Sequence, residues 1–282
     1  MPLLLWLLLC QQDLIHISDT HVTSLAGVHP DLAKARAAMA GSLATLNQFV
    51  DAVNQLPKAT VVHTGDAVDA ICLEAAAGPS VYGQIDLWRR AMGRLKHKYY
   101  LALGNHDVEC YRRDPLKGTA AGDQSVADDA RRRWRQKSYA SRAVGAYRLI
   151  LLDNGQAFET GGKPYFERQV RWLRAELRKR KNTPTLIALH IPLASDERSA
   201  MVLAVVKDAP QVKLVLCGHR HTDAVDWIAL GERKLLQVRT AALFKGPGTW
   251  RRIRLWPDRV EVSATGEPER ILETLKLTRD GR

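Results

Sequence analysis

The strongest constraint on this chain is a join that recurs. Five times an apolar run ends in a short polar cluster: Asp19-Thr20-His21, Gly65-Asp66-Ala67-Val68-Asp69, Gly104-Asn105-His106-Asp107, His190-Ile191-Pro192 and Gly218-His219-Arg220-His221. The runs before them (14–18, 59–63, 99–103, 185–189 and 212–216) have the length and apolar content of buried strands. Between them apolar residues fall at helical spacing. Leu32, Met39, Leu43, Leu46, Val50 and Val53 predict one amphipathic helix over 31–56, stopped by Pro57. Residues 81–95 and 195–206 predict further helices, as do Phe166, Val170, Leu173 and Leu177, and a basic helix is expected over 126–137. Residues 147–152 read as another strand. Strands alternating with helices specify α/β layers. In such sheets the loops at the carboxyl ends of the strands share an edge, so clusters distant in sequence can meet at one point.

Toward the C-terminus, 234–239, 250–255 and 260–263 alternate in the manner of antiparallel strands, with Trp256-Pro257-Asp258-Arg259 as a turn. A length of 282 residues suits a single domain over 13–282. The polar, irregular stretch 109–141 reads as an insertion on the substrate side. Residues 1–12 form an apolar leader. Leu3–Leu9 resembles the core of an export signal but lacks a basic start and a small-residue cleavage site. An exported or periplasmic protein is therefore favoured, with a cytosolic protein carrying an apolar packing arm as the alternative. Cys10, Cys72, Cys110 and Cys217 form no Cys-x-x-Cys pair, which excludes a zinc ribbon or thioredoxin-type motif.

Five of the nine His residues fall in the clusters. Asp19, His21, Asp66, Asn105, His190, His219 and His221 make seven candidate metal ligands. Carboxylate and imidazole together suit Mn, Fe or Zn better than Ca. Seven ligands are too many for one ion. They suit two ions sharing a carboxylate, and a pair about 3.5–4 Å apart clamps a phosphoryl centre. Asp66 is the expected bridge, because Gly65 lets the backbone turn closely beneath it. Taken singly, Asp-x-His reads as a cap or surface pair, Asn105 as a turn residue and His190 as a core histidine. All five clusters in this order point to a metal centre.

From Leu14 to His221 the chain resembles the calcineurin-like metallophosphoesterase family. The order Asp-x-His, Gly-Asp-x-x-Asp, Gly-Asn-His-Asp, His-x-Pro, Gly-His-x-His is complete. Leu14-Ile15-His16-Ile17-Ser18-Asp19-Thr20-His21 is especially similar to the bacterial cyclic-nucleotide phosphodiesterase branch. The resemblance implies a four-layer α/β fold, two mixed sheets packed as a sandwich and flanked by helices. It implies one metal on Asp19, His21, Asp66 and His221, and a second on Asp66, Asn105, His190 and His219. His106 would face the substrate. Residue 191 is Ile where many members carry a second His.

The implied reaction is phosphoester hydrolysis by in-line attack of a hydroxide bridging the two ions. His106 is expected to act as acid or electrostatic donor to the leaving oxygen, and Asp107 to orient His106 or a ligand. A phosphodiesterase acting on a small anionic ester, such as a cyclic nucleotide, is the expected activity. The alternatives are a phosphomonoesterase, and a nuclease or lipid-linked pyrophosphate hydrolase drawing on the net charge of +12 through nucleic acid or a membrane surface. Arg131-Arg132-Arg133-Trp134-Arg135 is the basic run nearest the chemistry, and Trp134 reads either as a base-stacking residue or as a helix anchor. His16 and His63 read as core or ligand-supporting residues, His29 and His97 as surface or cap residues. A non-catalytic scaffold would be expected to lose a ligand or His106, and none is lost.

Overall fold

The computed structural model describes residues 11–25, 30–69, 82–108, 112–114, 118–120 and 124–277. The first half of the chain contains β1 (Gln12–Ile17), α1 (Pro30–Ala35), α2 (Ser42–Val53), β2 (Ala59–His63), α3 (Tyr82–Met92) and β3 (Lys98–Leu101). A short helix α4 (Asn105–Val108), a hairpin of β4 (Arg112–Asp114) and β5 (Gly118–Ala120), and α5 (Gln124–Arg133) follow. Then come β6 (Ala140–Val144), β7 (Tyr147–Leu151), α6 (Lys163–Lys179), β8 (Thr185–Ala188), α7 (Glu197–Lys207) and β9 (Val212–Cys217). The chain closes with β10 (Ala224–Leu230), β11 (Arg233–Arg239), β12 (Arg251–Leu255), β13 (Arg259–Ala264) and β14 (Glu267–Lys276).

Two six-stranded sheets result, ordered β14-β13-β12-β1-β2-β3 and β10-β11-β9-β8-β7-β6. β1, β2 and β3 are parallel, as are β7, β8, β9 and β11. The remaining pairings are antiparallel, so both sheets are mixed. The two-residue period of a strand divides its side chains between two faces. Leu14 and Val62 meet Leu149, Leu186, Ala188, Leu214 and Leu216 between the sheets. Ile15, Ile17 and Val61 face outward onto Leu46, Phe49 and Val53 of α2 and Trp88 of α3. Ile150, Ile187 and Val215 do the same with Leu173 and Leu177 of α6 and Val202 and Val206 of α7. The result is helix, sheet, sheet, helix, the four-layer arrangement expected from the resemblance. Each large apolar side chain so buried contributes about 1.5–3 kcal/mol. These three cores form the frame against which the loops are held.

Several expectations are corrected. The single helix over 31–56 is α1, a 3-10 turn (Ala37–Met39) and α2, broken at Gly41, which precedes the first residue of α2. Ser42 Oγ accepts the Thr23 N–H at 3.2 Å, fixing the start of α2 against the first polar loop. The strand over 234–239 pairs parallel to β9 and antiparallel to β10, so it completes the second sheet. β6, β10 and β14, all edge strands, were not anticipated. His97 is a buried residue: its Nδ1 accepts the Ala59 N–H and its Nε2 donates to Val53 O. Trp134 is buried against Trp88 and donates Nε1–H to Asp107 O at 3.0 Å, so it anchors α5 and cannot stack a base. Arg131 is likewise internal, with Nε on Asp153 Oδ2 at 2.7 Å and its guanidinium over the Tyr165 ring. Cys217 is buried. Leu3–Leu9, Cys10, His29, Cys72, Cys110 and most of the stretches 69–80 and 109–123 lie outside the described residues. Among the described residues no helix is long and apolar enough to cross a membrane.

Candidate dinuclear metal centre

All seven candidate ligands meet at one edge of the sandwich. Asp19 and His21 follow β1, Asp66 follows β2 and Asn105 opens α4 just after β3; these come from the first sheet. His190 follows β8, and His219 and His221 follow β9, from the second. Ligand atoms of Asp19, His21, Asp66 and His221 all lie within 4.8 Å of one another, as do those of Asp66, His190 and His219. In the first group His21 Nε2 is 3.0 Å from His221 Nε2, and His221 Nε2 is 3.2 Å from Asp19 Oδ1. In the second, Asn105 Oδ1 is 3.1 Å from both His190 Nε2 and His219 Nδ1. Asp66 Oδ2 is 3.6 Å from His21 Nε2 and 3.1 Å from His190 Nε2, so one carboxylate oxygen faces both groups.

The backbone carries strain to achieve this. Among the described residues six non-glycines have φ in the left-handed region, and five are candidate ligands: Asp19, His21, Asp66, His219 and His221. Each such conformation costs on the order of 1–3 kcal/mol and persists only where its surroundings over-determine it. Here Asp19 N–H donates to Gly65 O and His21 N–H to Asp66 O, both at 2.9 Å, continuing the β1–β2 pairing past the strand ends. His106 N–H donates to Asp66 Oδ1 at 2.9 Å, and His219 N–H to Asp19 Oδ2 at 3.1 Å. Two glycines allow the loops to close. A Cβ on Gly65, at φ +92°, would lie 2.7 Å from the His190 ring, and one on Gly218 would lie 1.7 Å from Ser18 Oγ.

Neighbours fix which imidazole nitrogen is free. His21 Nδ1 faces Asp69 Oδ1 at 3.2 Å and His190 Nδ1 faces Thr64 O at 2.7 Å. Both partners accept, so each Nδ1 carries its proton and each Nε2 lone pair points into the cluster. Behind them, His16 Nε2 meets Thr64 Oγ1 and His63 Nε2 meets Thr20 Oγ1, which places both histidines in support of the loops. His106 Nδ1 donates to Asp69 O, leaving Nε2 3.9 Å from Asp66 Oδ2. Of the two partners expected for Asp107, His106 or a ligand, its carboxylate serves the ligand loops. Its Oδ1 accepts the N–H groups of Ala67 and Val68 at 2.9 and 3.2 Å, and Oδ2 that of Gly104 at 2.8 Å. It ties the Asp66 loop to the Asn105 loop.

Three residues that touch the cluster were given no role of their own in the reading of the sequence. Asp69 holds His21 and, through its carbonyl, His106. Asn154 Oδ1 accepts from His190 N and Ile191 N, and its Nδ2 donates to Ile191 O. The Asp153-Asn154-Gly155 turn follows strand β7 as the other clusters follow theirs, and that position was the available signal. Phe244, from a 3-10 turn (Leu243–Lys245), stands against His21 and His221.

The electrostatics describe a site that attracts cations. Burial opposes charge on His21, but the carboxylates of Asp19, Asp69 and Asp66 push it up to about 10. Burial likewise opposes charge on His190, and Asp66 and Asp19 push it up to about 9. Asp66 and Asp19 are held below the usual carboxylate range by the facing imidazoles, against burial. Burial and the His190 charge push His219 down to about 4. Two features fit metal ions. Asp19 Oδ1 is buried without a hydrogen bond. Facing donor atoms lie 3.0–3.2 Å apart, whereas two ligands about 2.1 Å from one ion and at right angles lie about 3 Å apart.

Comparison with known proteins agrees with this geometry. The calcineurin-like phosphoesterase profile matches residues 13–223, and the chain belongs to that family. It is 27% identical over 218 residues to the glycerophosphodiester phosphodiesterase GpdQ of Enterobacter lignolyticus, covering 74% of this chain and 70% of that protein. It is 24% identical over 221 residues to a Rhodococcus erythropolis protein named "Probable cyclic nucleotide phosphodiesterase", covering 74% of this chain and 64% of that one. A dimetal phosphatase from Danio rerio shares the fold, with a TM-score of 0.65 at 16% identity over 95% of this chain and 99% of that one. Family and cluster together support phosphoester hydrolysis at a dinuclear metal centre.

The Asp107 bridge yields a test. In Asp107→Asn the amide nitrogen, a donor, replaces an oxygen that accepts from backbone N–H, leaving buried donors unpaired at a cost of about 1–3 kcal/mol. Urea unfolding of the chelated protein should show that loss, with no dependence on metal.

Proposed function

We propose that this chain is a phosphodiesterase of small organic anions, working with two ions of Mn, Fe or Zn. The observation that carries the reading is Asp66 Oδ2, which faces both imidazole groups at once. Asp19, His21, Asp66 and His221 would hold one ion, and Asp66, Asn105, His190 and His219 the other. Two carboxylates, one amide and four imidazoles, with no thiol, suit these metals. When bound, the ions supply Lewis-acid charge to the phosphoryl oxygens and lower the pKa of the attacking water. Diester preference is supported by the names of two curated relatives, "Glycerophosphodiester phosphodiesterase GpdQ" and "Probable cyclic nucleotide phosphodiesterase".

The chain's own residues account for the remaining steps. Asp69 and Thr64 hold His21 and His190 with Nε2 directed inward. The Asp66 and Asn105 loops are locked together by Asp107, so the phosphoryl group meets a preorganised surface. His106 keeps one proton at Nδ1 on Asp69 O, and burial holds its pKa below the ordinary imidazole value. A bound phosphoester anion would favour a second proton, at Nε2, which would pass to the departing oxygen. Ile191 offers no proton; His106 stands beside the centre outside the two proposed ligand groups, in a third cluster with His21 and Asp69.

Metal uptake at pH 7 should saturate at two ions per chain and release about two protons, because His21 and His190 are protonated below about 10 and about 9 and must be neutral to bind metal. Affinity should therefore rise with pH from 7 to 9. Calorimetry in buffers of different ionisation enthalpy reads the protons, and elemental analysis reads the ions. Asp66→Asn should weaken both sites; one ion at saturation with unchanged turnover in that variant would sink the shared-carboxylate reading.

His106→Ala should retain its metal and lose roughly 10²–10⁴-fold in kcat. The loss should shrink for esters with good leaving groups, which need no proton. A variant that empties of metal would assign His106 to coordination instead.

Bis(p-nitrophenyl) phosphate should be cleaved with higher kcat/KM than p-nitrophenyl phosphate, with 2′,3′- and 3′,5′-cyclic nucleotides as further diester substrates. Preference for the monoester with no cyclic-nucleotide turnover would instead identify a phosphatase.

A further inference from the structure

We propose that Phe244 is a specificity wall of this site, selecting phosphodiesters with a flat aromatic arm, a nucleobase or an aryl group, over those with polyol arms alone. The proposal rests on the phosphodiesterase reading above. Phe244 lies beyond residues 13–223, which the family profile matches, on the 3-10 turn between β11 and β12. Its ring centroid is 5.4 Å from that of His21 and 5.2 Å from that of His221, and its plane stands at 85° and 83° to theirs. It belongs to the first ion's side of the centre.

The ring is held in place rather than draped there. Leu243 N–H donates to Ser18 O at 2.9 Å, and Phe244 N–H to Asp19 O at 3.3 Å. The turn is thus bonded to the loop that carries two candidate ligands. Leu243 is fully buried in the core that holds Leu46 and Phe49 of α2. Lys245 Nζ donates to His221 O at 2.8 Å and closes the turn over the last polar loop. The residues inside this turn, Asp19 and His21, are buried, whereas Phe244 is half-buried and 29% of the His221 side chain is exposed. The site therefore meets solvent beside an aromatic surface.

Such a wall distinguishes between the two arms of a diester. A phenyl ring has no hydrogen bond to offer a glycerol hydroxyl, whereas stacking of one base on an aromatic side chain raises affinity by about 5- to 150-fold. An anchored ring loses little conformational freedom on binding, so most of that gain survives. Phe244 touches no phosphorus and donates no proton, so its effect falls on binding and leaves the chemical step unchanged.

The test compares the metal-loaded wild type with Phe244→Ala, Phe244→Leu, which keeps bulk without an aromatic face, and Phe244→Tyr, which keeps the face. Calorimetric affinity is measured for adenosine 5′-monophosphate and for glycerol 3-phosphate, and kcat and KM for 2′,3′-cyclic AMP and glycerophosphoethanolamine. Phe244→Ala and Phe244→Leu should weaken the nucleotide by about 5- to 150-fold and raise KM for the cyclic nucleotide with kcat held. The two glycerol compounds should change little, metal content should stay at the wild-type level, and Phe244→Tyr should behave as wild type. Unchanged nucleotide affinity in Phe244→Ala, or equal losses for both ligand types, overturns the proposal. If the wild type cleaves neither diester yet the affinities separate as described, the diesterase reading falls and the aromatic wall stands.

Discussion

The structure depends on a short ladder of backbone hydrogen bonds that continues where the strands have ended. Asp19 N–H to Gly65 O, His21 N–H to Asp66 O and Val22 N–H to Ala67 O extend the parallel pairing of β1 and β2 into their loops. Left-handed conformations at Asp19, His21 and Asp66 would relax without these bonds. With them, side chains from loops 45 or more residues apart converge within hydrogen-bonding range. The sandwich cores supply the free energy, and the ladder directs it onto a few φ angles.

Polarity around the cluster follows the same economy of position. Carboxylates that are fully buried need partners, and here they face imidazoles whose outer nitrogens are already bonded to Asp69 and to Thr64 O. The inner nitrogens have only each other and the carboxylates. Protons can fill that role at neutral pH, and metal cations fill it with better geometry. The outer histidines behave differently. Burial pushes His16 and His63 down to about 3, so they remain neutral and serve only as hydrogen-bonding struts behind the loops.

How much was legible in the sequence depended on whether a feature was written locally. The five strands and their polar clusters were, since strand burial gives apolar runs and the ligands sit at the strand ends. The break between α1 and α2 was not, because apolar spacing runs straight through Gly41. β10 and β14 were not, because an edge strand needs one partner and little burial, and Glu267-Pro268-Glu269-Arg270 reads as loop. Which of its two expected partners Asp107 serves, His106 or a ligand, was not written locally, because its neighbour in sequence is His106. The turn of α4 sends its carboxylate the other way, to Ala67, Val68 and Gly104. Asp69 and Asn154 matter through distances that appear only once the sheets are stacked, and Phe244 lies 200 residues or more from the loop it closes.

The two candidate ligand groups draw on both sheets: Asp19, His21, Asp66 and Asn105 from one, His190, His219 and His221 from the other. A cation bound there acts as a staple across the open end of the sandwich. Neither sheet alone presents a full coordination sphere, so tight capture must wait until the halves have docked, late in a folding reaction dominated by contacts between distant parts of the chain. A chain whose two sheets packed out of alignment would separate the two sets of candidate ligands and lose the place where a cation would be kept.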